Sequence, residues 1–213
     1  MSFFITFEGI EGCGKTTQSQ LLAGRLERLG HRVIVTREPG GCPIADRIRN
    51  ILLDADNRAI VPMTELLLYA AARVQHVSEV IVPSLKAGMI VLCDRFTDAT
   101  IAYQGYGRGV EEKTIDQLNH LATGGIRPQL TLLLDCPPET GLSRAFSRIN
   151  DTEGAREERF ELESIQFHRR VRKGYLELAQ REPKRFVVID ADHGINEIED
   201  AVAAVVFSRL ALN

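Results

Sequence analysis

Five short apolar runs recur along the chain, at Phe3–Phe7, Val33–Thr36, Met89–Cys93, Leu130–Leu134 and Phe186–Ile189. Their brevity and their apolar character at successive positions mark strands buried on both faces. Longer segments of helical period lie between and after them, at about Lys15–Leu29, Ile44–Leu53, Thr64–Ile81, Glu111–Ala122, Glu139–Arg148, Glu161–Gln180 and Ile195–Leu210. Fully buried strands alternating with helices belong to parallel sheets, whose crossover helices cover both sides. The pattern therefore predicts an α/β fold, a doubly wound five-stranded parallel sheet with helices on both faces.

Two segments depart from this regular picture. TELLLYAAARVQHVSEVI, from Thr64, is so apolar that most of its circumference is expected to be buried, against the sheet, a second subunit or a ligand. INDTEGAREE, Ile149–Glu158, is polar, contains Gly154, has no hydrophobic period and is flanked by arginines. It reads as a mobile loop. With no repeat and no Pro/Ser linker, the chain is expected to form one domain over 1–213, with a lid segment at about 144–160.

Composition narrows the function more than the fold. The 26 Lys+Arg against 29 Asp+Glu give a net charge of −3 over 213 residues, so no global basic field draws the protein to nucleic acid or to an anionic membrane. Glu65 and Arg73 interrupt the longest candidate for a membrane span, and the amino terminus lacks the layout of a signal peptide. Cys13, Cys42, Cys93 and Cys136 form no CxxC pair, which points to reduced thiols in the cytoplasm rather than to disulfides or zinc.

Directly after the first predicted strand comes GIEGCGKT, Gly9–Thr16, leading into the first helix. Glycines let backbone N–H groups converge on phosphates and a helix amino terminus adds positive potential. In such a loop Lys15 reaches the β and γ phosphates and Thr16 offers its hydroxyl to Mg²⁺. The triphosphate would thus be held by Gly9, Ile10, Glu11, Gly12, Cys13, Gly14, Lys15, Thr16 and Thr17. Two apolar strands end in an acid able to hold magnesium through water, at Asp94 and Asp135. Such an acid can also merely cap a helix; Asp94 is favoured because Arg95 follows it. Arg37, Arg73 and Arg95 all fall at strand carboxyl ends or on the helix covering them, the edge where open α/β sheets bind ligands.

GIEGCGKTT, TREPGG at Thr36–Gly41, YAAAR at Tyr69–Arg73, DRF at Asp94–Phe96, AYQGYGRG at Ala102–Gly109 and ERFE at Glu158–Glu161 together resemble bacterial thymidylate kinases, along essentially the whole chain. The resemblance implies transfer of the γ-phosphoryl of MgATP to dTMP, giving dTDP on the path to dTTP, with Mg²⁺ as cofactor and a homodimer as the assembly. It implies that Arg37 and Arg95 hold the dTMP phosphate, that Tyr69, Arg73, Thr100 and Gln104 meet thymine, and that Tyr103 underlies the sugar. Arginine has only donors, so Arg73 suits the O4 acceptor of thymine and opposes the amino group of cytosine or adenine. Glu11 is expected to take the sugar 3′-hydroxyl or a magnesium-bound water. Some relatives carry a basic residue at the next position, but this chain has Gly12, so the missing cation is expected from Arg144, Arg148, Arg156 or, best matched, Arg159. Lys15, Asp94, Arg95, Glu11 and Arg159 are the expected catalytic set, and Thr16, Asp94 and Glu11 the metal set. The rival readings are a kinase for another nucleoside monophosphate and a nucleotide switch. A guanine-reading switch would carry NKxD, which is absent, and the lone DxxG, Asp151–Gly154, lies in the polar loop.

Overall fold

The computed structural model describes residues 2–150 and 159–212, with 148–150 as backbone only. Strands β1 (Phe3–Glu8), β2 (Val33–Arg37), β3 (Ile90–Asp94), β4 (Leu130–Asp135) and β5 (Phe186–Asp190) pair in the order β2-β3-β1-β4-β5, every ladder parallel. Each strand runs one residue beyond its apolar run, onto a charged one: Glu8, Arg37, Asp94, Asp135 and Asp190. All five strand ends therefore bring charge to one edge of the sheet, and β1 brings its loop to the middle of that edge.

Helices α1 (Lys15–Arg28), α2 (Pro43–Leu53), α3 (Pro62–His76), α4 (Val82–Lys86), α5 (Thr97–Thr100), α6 (Glu112–Thr123), α7 (Pro138–Asn150), α8 (Ile165–Arg181) and α9 (Ile195–Leu210) flank the sheet. The core joins Ile5 and Phe7 of β1, Leu92 of β3 and Leu132 of β4 to Leu22 and Leu26 of α1, Tyr175 of α8 and Val202 of α9, all at most 1% exposed. No described helix is long and apolar enough to cross a membrane.

Three boundaries differ from expectation. The apolar helix widens into a π-type stretch at Val77–Ile81 before α4, and it is less buried than its composition suggests. Leu66, Ala70, Ala72 and His76 face inward, but Met63, Leu67 and Val74 stay 45–49% exposed. A second helical stretch, α5 continuing as a wide π-type turn over Ile101–Gly107, occupies a segment to which the sequence pattern assigns no element. Last, α8 begins at Ile165 rather than Glu161, because Ser164 caps it by accepting a hydrogen bond from the Phe167 backbone at 3.3 Å.

Candidate active site

The loop after β1 turns on glycines with positive φ: Gly9 at 136°, Gly12 at 68° and Gly14, the N-cap of α1, at 92°. These are angles other residues rarely adopt. Gly12 has a second reason to lack a side chain, since a Cβ there would run into the backbone carbonyl of Gly141 on α7. Lys15 is 7% exposed and folds its Nζ into the loop, donating to the carbonyls of Ile10 at 2.6 Å and Gly9 at 3.1 Å. Cys13 is fully buried, its Sγ 3.4 Å from that Nζ.

Thr16, at the start of α1, donates from Oγ1 to Asp94 Oδ2 at 2.6 Å, joining the loop to the end of β3. A hydroxyl and a carboxylate, both hard oxygen donors beside a phosphate cradle, suit Mg²⁺, which takes few protein ligands and keeps its waters. Asp135, the other candidate, is taken by Arg172 of α8 through two bonds of 2.7 and 2.8 Å. Its role is to dock α8 on the sheet edge.

Arg95 has positive φ, 69°, unusual for a side chain of its size. That turn, just past β3, sends its guanidinium back over the loop. Nη1 donates to Gly9 O at 2.9 Å and Tyr175 Oη at 3.1 Å, Nη2 donates to Glu11 Oε1 at 3.0 Å, and the group lies over the Tyr103 ring at 4.7 Å. Tyr175 in turn donates to Glu8, the last residue of β1, at 2.7 Å. Glu11 also accepts from Tyr103 Oη at 2.5 Å and lies 3.1 Å from His168 Nδ1. Burial acts to raise the Glu11 carboxyl, but His168, Arg95 and Lys15 outweigh it and hold the group down at about 2.

The opposite wall of the same cavity, of about 1170 Å³, is built by β2, α3 and the helical stretch after β3. Arg73 is 2% exposed there, with Nε on Glu38 at 2.7 Å, Nη1 on Asn119 at 2.8 Å and Nη2 on the Phe96 carbonyl at 3.1 Å. Glu38 also holds His76 Nδ1 at 2.9 Å, and His76 Nε2 meets Thr36 Oγ1 at 2.7 Å. Gln104 gives its amide nitrogen to Glu65 at 2.8 Å, and the Thr100 hydroxyl is buried without a partner. Tyr69 tilts against Phe160, ring centroids 6.4 Å apart, and Tyr103 meets Phe160 edge-on at 5.5 Å. Arg37 is more than half exposed at the mouth, 3.6 Å from Asp46. Arg49, which sequence reasoning passed over, lines the cavity beside it and donates to the Pro39 carbonyl at 3.0 Å. Its signal would have been its place on α2, four residues and so about one turn after the buried Ala45, across from the proline of TREPGG.

The cavity thus joins Gly12, Gly14, Lys15, Thr16 and Thr17 at one end to Arg37, Tyr69, Arg73, Thr100, Tyr103 and Gln104 at the other, with Glu11, Asp94 and Arg95 between. It does not include Arg159. That residue, expected as the cation on the transferring phosphoryl, is 7% exposed and turned elsewhere. It donates to the Leu52 carbonyl and to Glu65 at 2.8 Å, lies over Phe160, and lines a separate cavity of about 410 Å³. Burying a guanidinium against a carboxylate this way is a structural use of the charge. Arg144 likewise turns to the loop after β5, donating to Ala191 O at 2.8 Å. Arg156 and the Arg148 side chain lie outside the described residues, as do positions 151–158 of the segment expected to form the lid.

A glycine-rich loop between the central strand and α1, facing arginines across one cavity at the strand ends, defines a phosphate-loop nucleotide-binding protein of the kinase type. The family model for thymidylate kinase matches residues 7–202. The chain is 68% identical over 211 residues to a thymidylate kinase of Geotalea uraniireducens (strain Rf4), covering 99% of each, and 62% identical over 209 residues to one of Trichlorobacter lovleyi, covering 98% of this chain and 99% of that one. The crystal structure of thymidylate kinase from Ehrlichia chaffeensis superposes with a TM-score of 0.78 at 37% identity, covering 96% of this chain and 98% of that one. The chain belongs to the thymidylate kinase family.

Proposed function

We propose that the protein transfers the γ-phosphoryl group of MgATP to dTMP, releasing dTDP and ADP. The observation that carries this reading is the pairing of Arg73 with Gln104 at the base end of the cavity. The Gln104 amide nitrogen is committed to Glu65, so its oxygen is the group left for a ligand, while Arg73 has two N–H groups beyond its three bonds. An acceptor beside a donor matches N3–H and O4 of thymine. Cytosine presents the reverse order, and a kinase for another monophosphate would need a different pair.

Lys15 and the loop amides hold the donor phosphates, Arg37 and Arg95 align the acceptor phosphate, Tyr69 stacks on the base, Thr100 adds a third polar contact, and Tyr103 closes the sugar face against a 2′-hydroxyl. Thr16 and, through water, Asp94 would hold Mg²⁺, which would supply positive charge beside the transferring phosphates. Glu11 is placed for the sugar 3′-hydroxyl or a metal-bound water. The acceptor phosphate is already an anion near neutral pH, so Asp94 positions rather than removes a proton. Ile44 and Ile51 of α2 with Met63, Leu67 and Val74 of α3 leave an apolar ridge on two adjacent helices, which supports a homodimer through this face. Four reduced, buried cysteines suit a cytoplasmic protein.

Incubation with MgATP and dTMP, followed by anion-exchange separation, tests the reading. The expected result is dTDP and ADP in equal amounts and no ADP without dTMP; ADP release that ignores dTMP would favour the switch or a simple ATPase.

A further inference from the structure

His168 is the polar side chain in this molecule that stands most in need of an explanation. It lies on α8, is 0% exposed, and neither ring nitrogen has a hydrogen-bond partner, although Nδ1 comes within 3.1 Å of Glu11 Oε2. Glu11 Oε2 is likewise without a hydrogen bond, whereas Oε1 has both Arg95 and Tyr103. Buried polar groups left unpaired cost stability in the state observed, and a role in another state is one reason for a fold to keep them.

The surroundings of Glu11 indicate what that state is. A carboxylate inside a phosphate loop repels its ligand: at 5 Å and an effective dielectric of 20 a pair of unit charges interacts by roughly 3 kcal/mol. Its charge is offset by Arg95, with Lys15 close by. Both line the ligand cavity, and both have phosphate contacts in the reading above, so both are drawn away from Glu11 when substrates bind. Tyr103 lines the cavity too, whereas His168 sits behind the loop and does not. Among the described residues facing Glu11, it is the one that no ligand reaches.

We propose that His168 is a positioning residue for phosphoryl transfer: it retains Glu11 through Oε2 as Arg95 turns from Oε1 to the acceptor phosphate. Without it, the carboxylate keeps Arg95 for itself. This inference rests on the assignment of Arg95 to the acceptor phosphate, and the test separates the two.

Steady-state kinetics of His168→Asn, His168→Gln and Glu11→Gln, with the two double variants, carry the test, beside thermal melts of each. Asn places an amide nitrogen where Nδ1 stands and Gln where Nε2 stands, at similar cost to packing. The expected result is that His168→Gln raises KM for dTMP about tenfold with KM for ATP within twofold, that His168→Asn stays within about threefold of the parent, and that His168→Gln adds less than twofold once Glu11 is Gln. A purely structural role would lower the active fraction, and so kcat, without moving KM, and would treat the two substitutions alike; either pattern overturns the proposal, as does an equal effect with and without Glu11. If Arg95→Ala leaves KM for dTMP unchanged, the acceptor-site assignment itself fails.

Discussion

Nε of Arg73 lies 2.7 Å from Oε2 of Glu38, with the two side chains only 2% and 4% exposed. The other oxygen of the same carboxylate takes His76, which reaches on to Thr36. A strand end and a helix are thereby tied through a single buried carboxylate, and the guanidinium that faces the base end of the cavity is fixed in rotation. Its two remaining N–H groups belong to a side chain that lines the same cavity as Gln104.

Glu38→Gln keeps the shape but removes the charge that balances Arg73. Breaking a buried pair costs about 3–5 kcal/mol, and each kcal/mol lowers Tm by roughly 2–4 °C in a domain of this size. Thermal melts should show that loss. The kcat/KM preference for dTMP over dCMP should fall as well, because Arg73 is no longer held in one orientation.

The same carboxylate sets an acid limit. Burial acts to raise Glu38, but Arg73 and His76 prevail and hold it below its ordinary value of 4.5. Its contribution to stability is therefore complete above that value and is lost as pH falls below it. Urea melts between pH 7 and pH 3.5 should show the parent converging on Glu38→Gln at the acid end, with the largest gap near neutrality.

At Gly12 the phosphate loop has no room for a side chain. The carbonyl of Gly141 fills the space of any Cβ, and φ is positive as well. Gly12→Ala and Gly12→Arg should both destabilise, by more than the ~1 kcal/mol of φ strain alone. Neither should raise kcat, which the steady-state rates of the two variants will show.

Arg159 separates two accounts of the same residue. Removing an arginine that touches the transferring phosphoryl costs on the order of 10³-fold or more in kcat. Removing one buried against Glu65 and Phe160 costs fold stability instead. For Arg159→Ala we expect a Tm several degrees lower and, well below that temperature, a much smaller loss of kcat. A thousandfold loss with Tm unchanged would return Arg159 to the phosphoryl group.

The phosphate loop and the five strands are legible in the sequence because their signals are local: a strand, a glycine pattern, a helix start, and apolar runs buried on both faces. The helical stretch that starts at Thr97 is not, because Gly105 and Gly107 are poor helix formers and no helical period runs through them. Their role is close packing: a Cβ on Gly107 would strike the Phe167 ring, and one on Gly105 would press on Ile115. Arg159 and Arg144 lie away from the cavity, against the expectation for them, for a related reason. An arginine beside a polar segment looks available, and only the fold brings Glu65 or Ala191 to it. His76 and His168 carry no sequence signal of their own, being 38 to 157 positions from the partners that give them meaning.

In the proposed function Arg73 offers donors and Gln104 an acceptor to the base. The most direct test is kcat/KM of the wild-type protein with saturating MgATP on dTMP and dCMP, side by side. Two reversed hydrogen bonds at about 1–3 kcal/mol each predict a preference for dTMP on the order of 10²-fold or more. Comparable values on the two acceptors would contradict the assignment of Arg73 and Gln104 to the base.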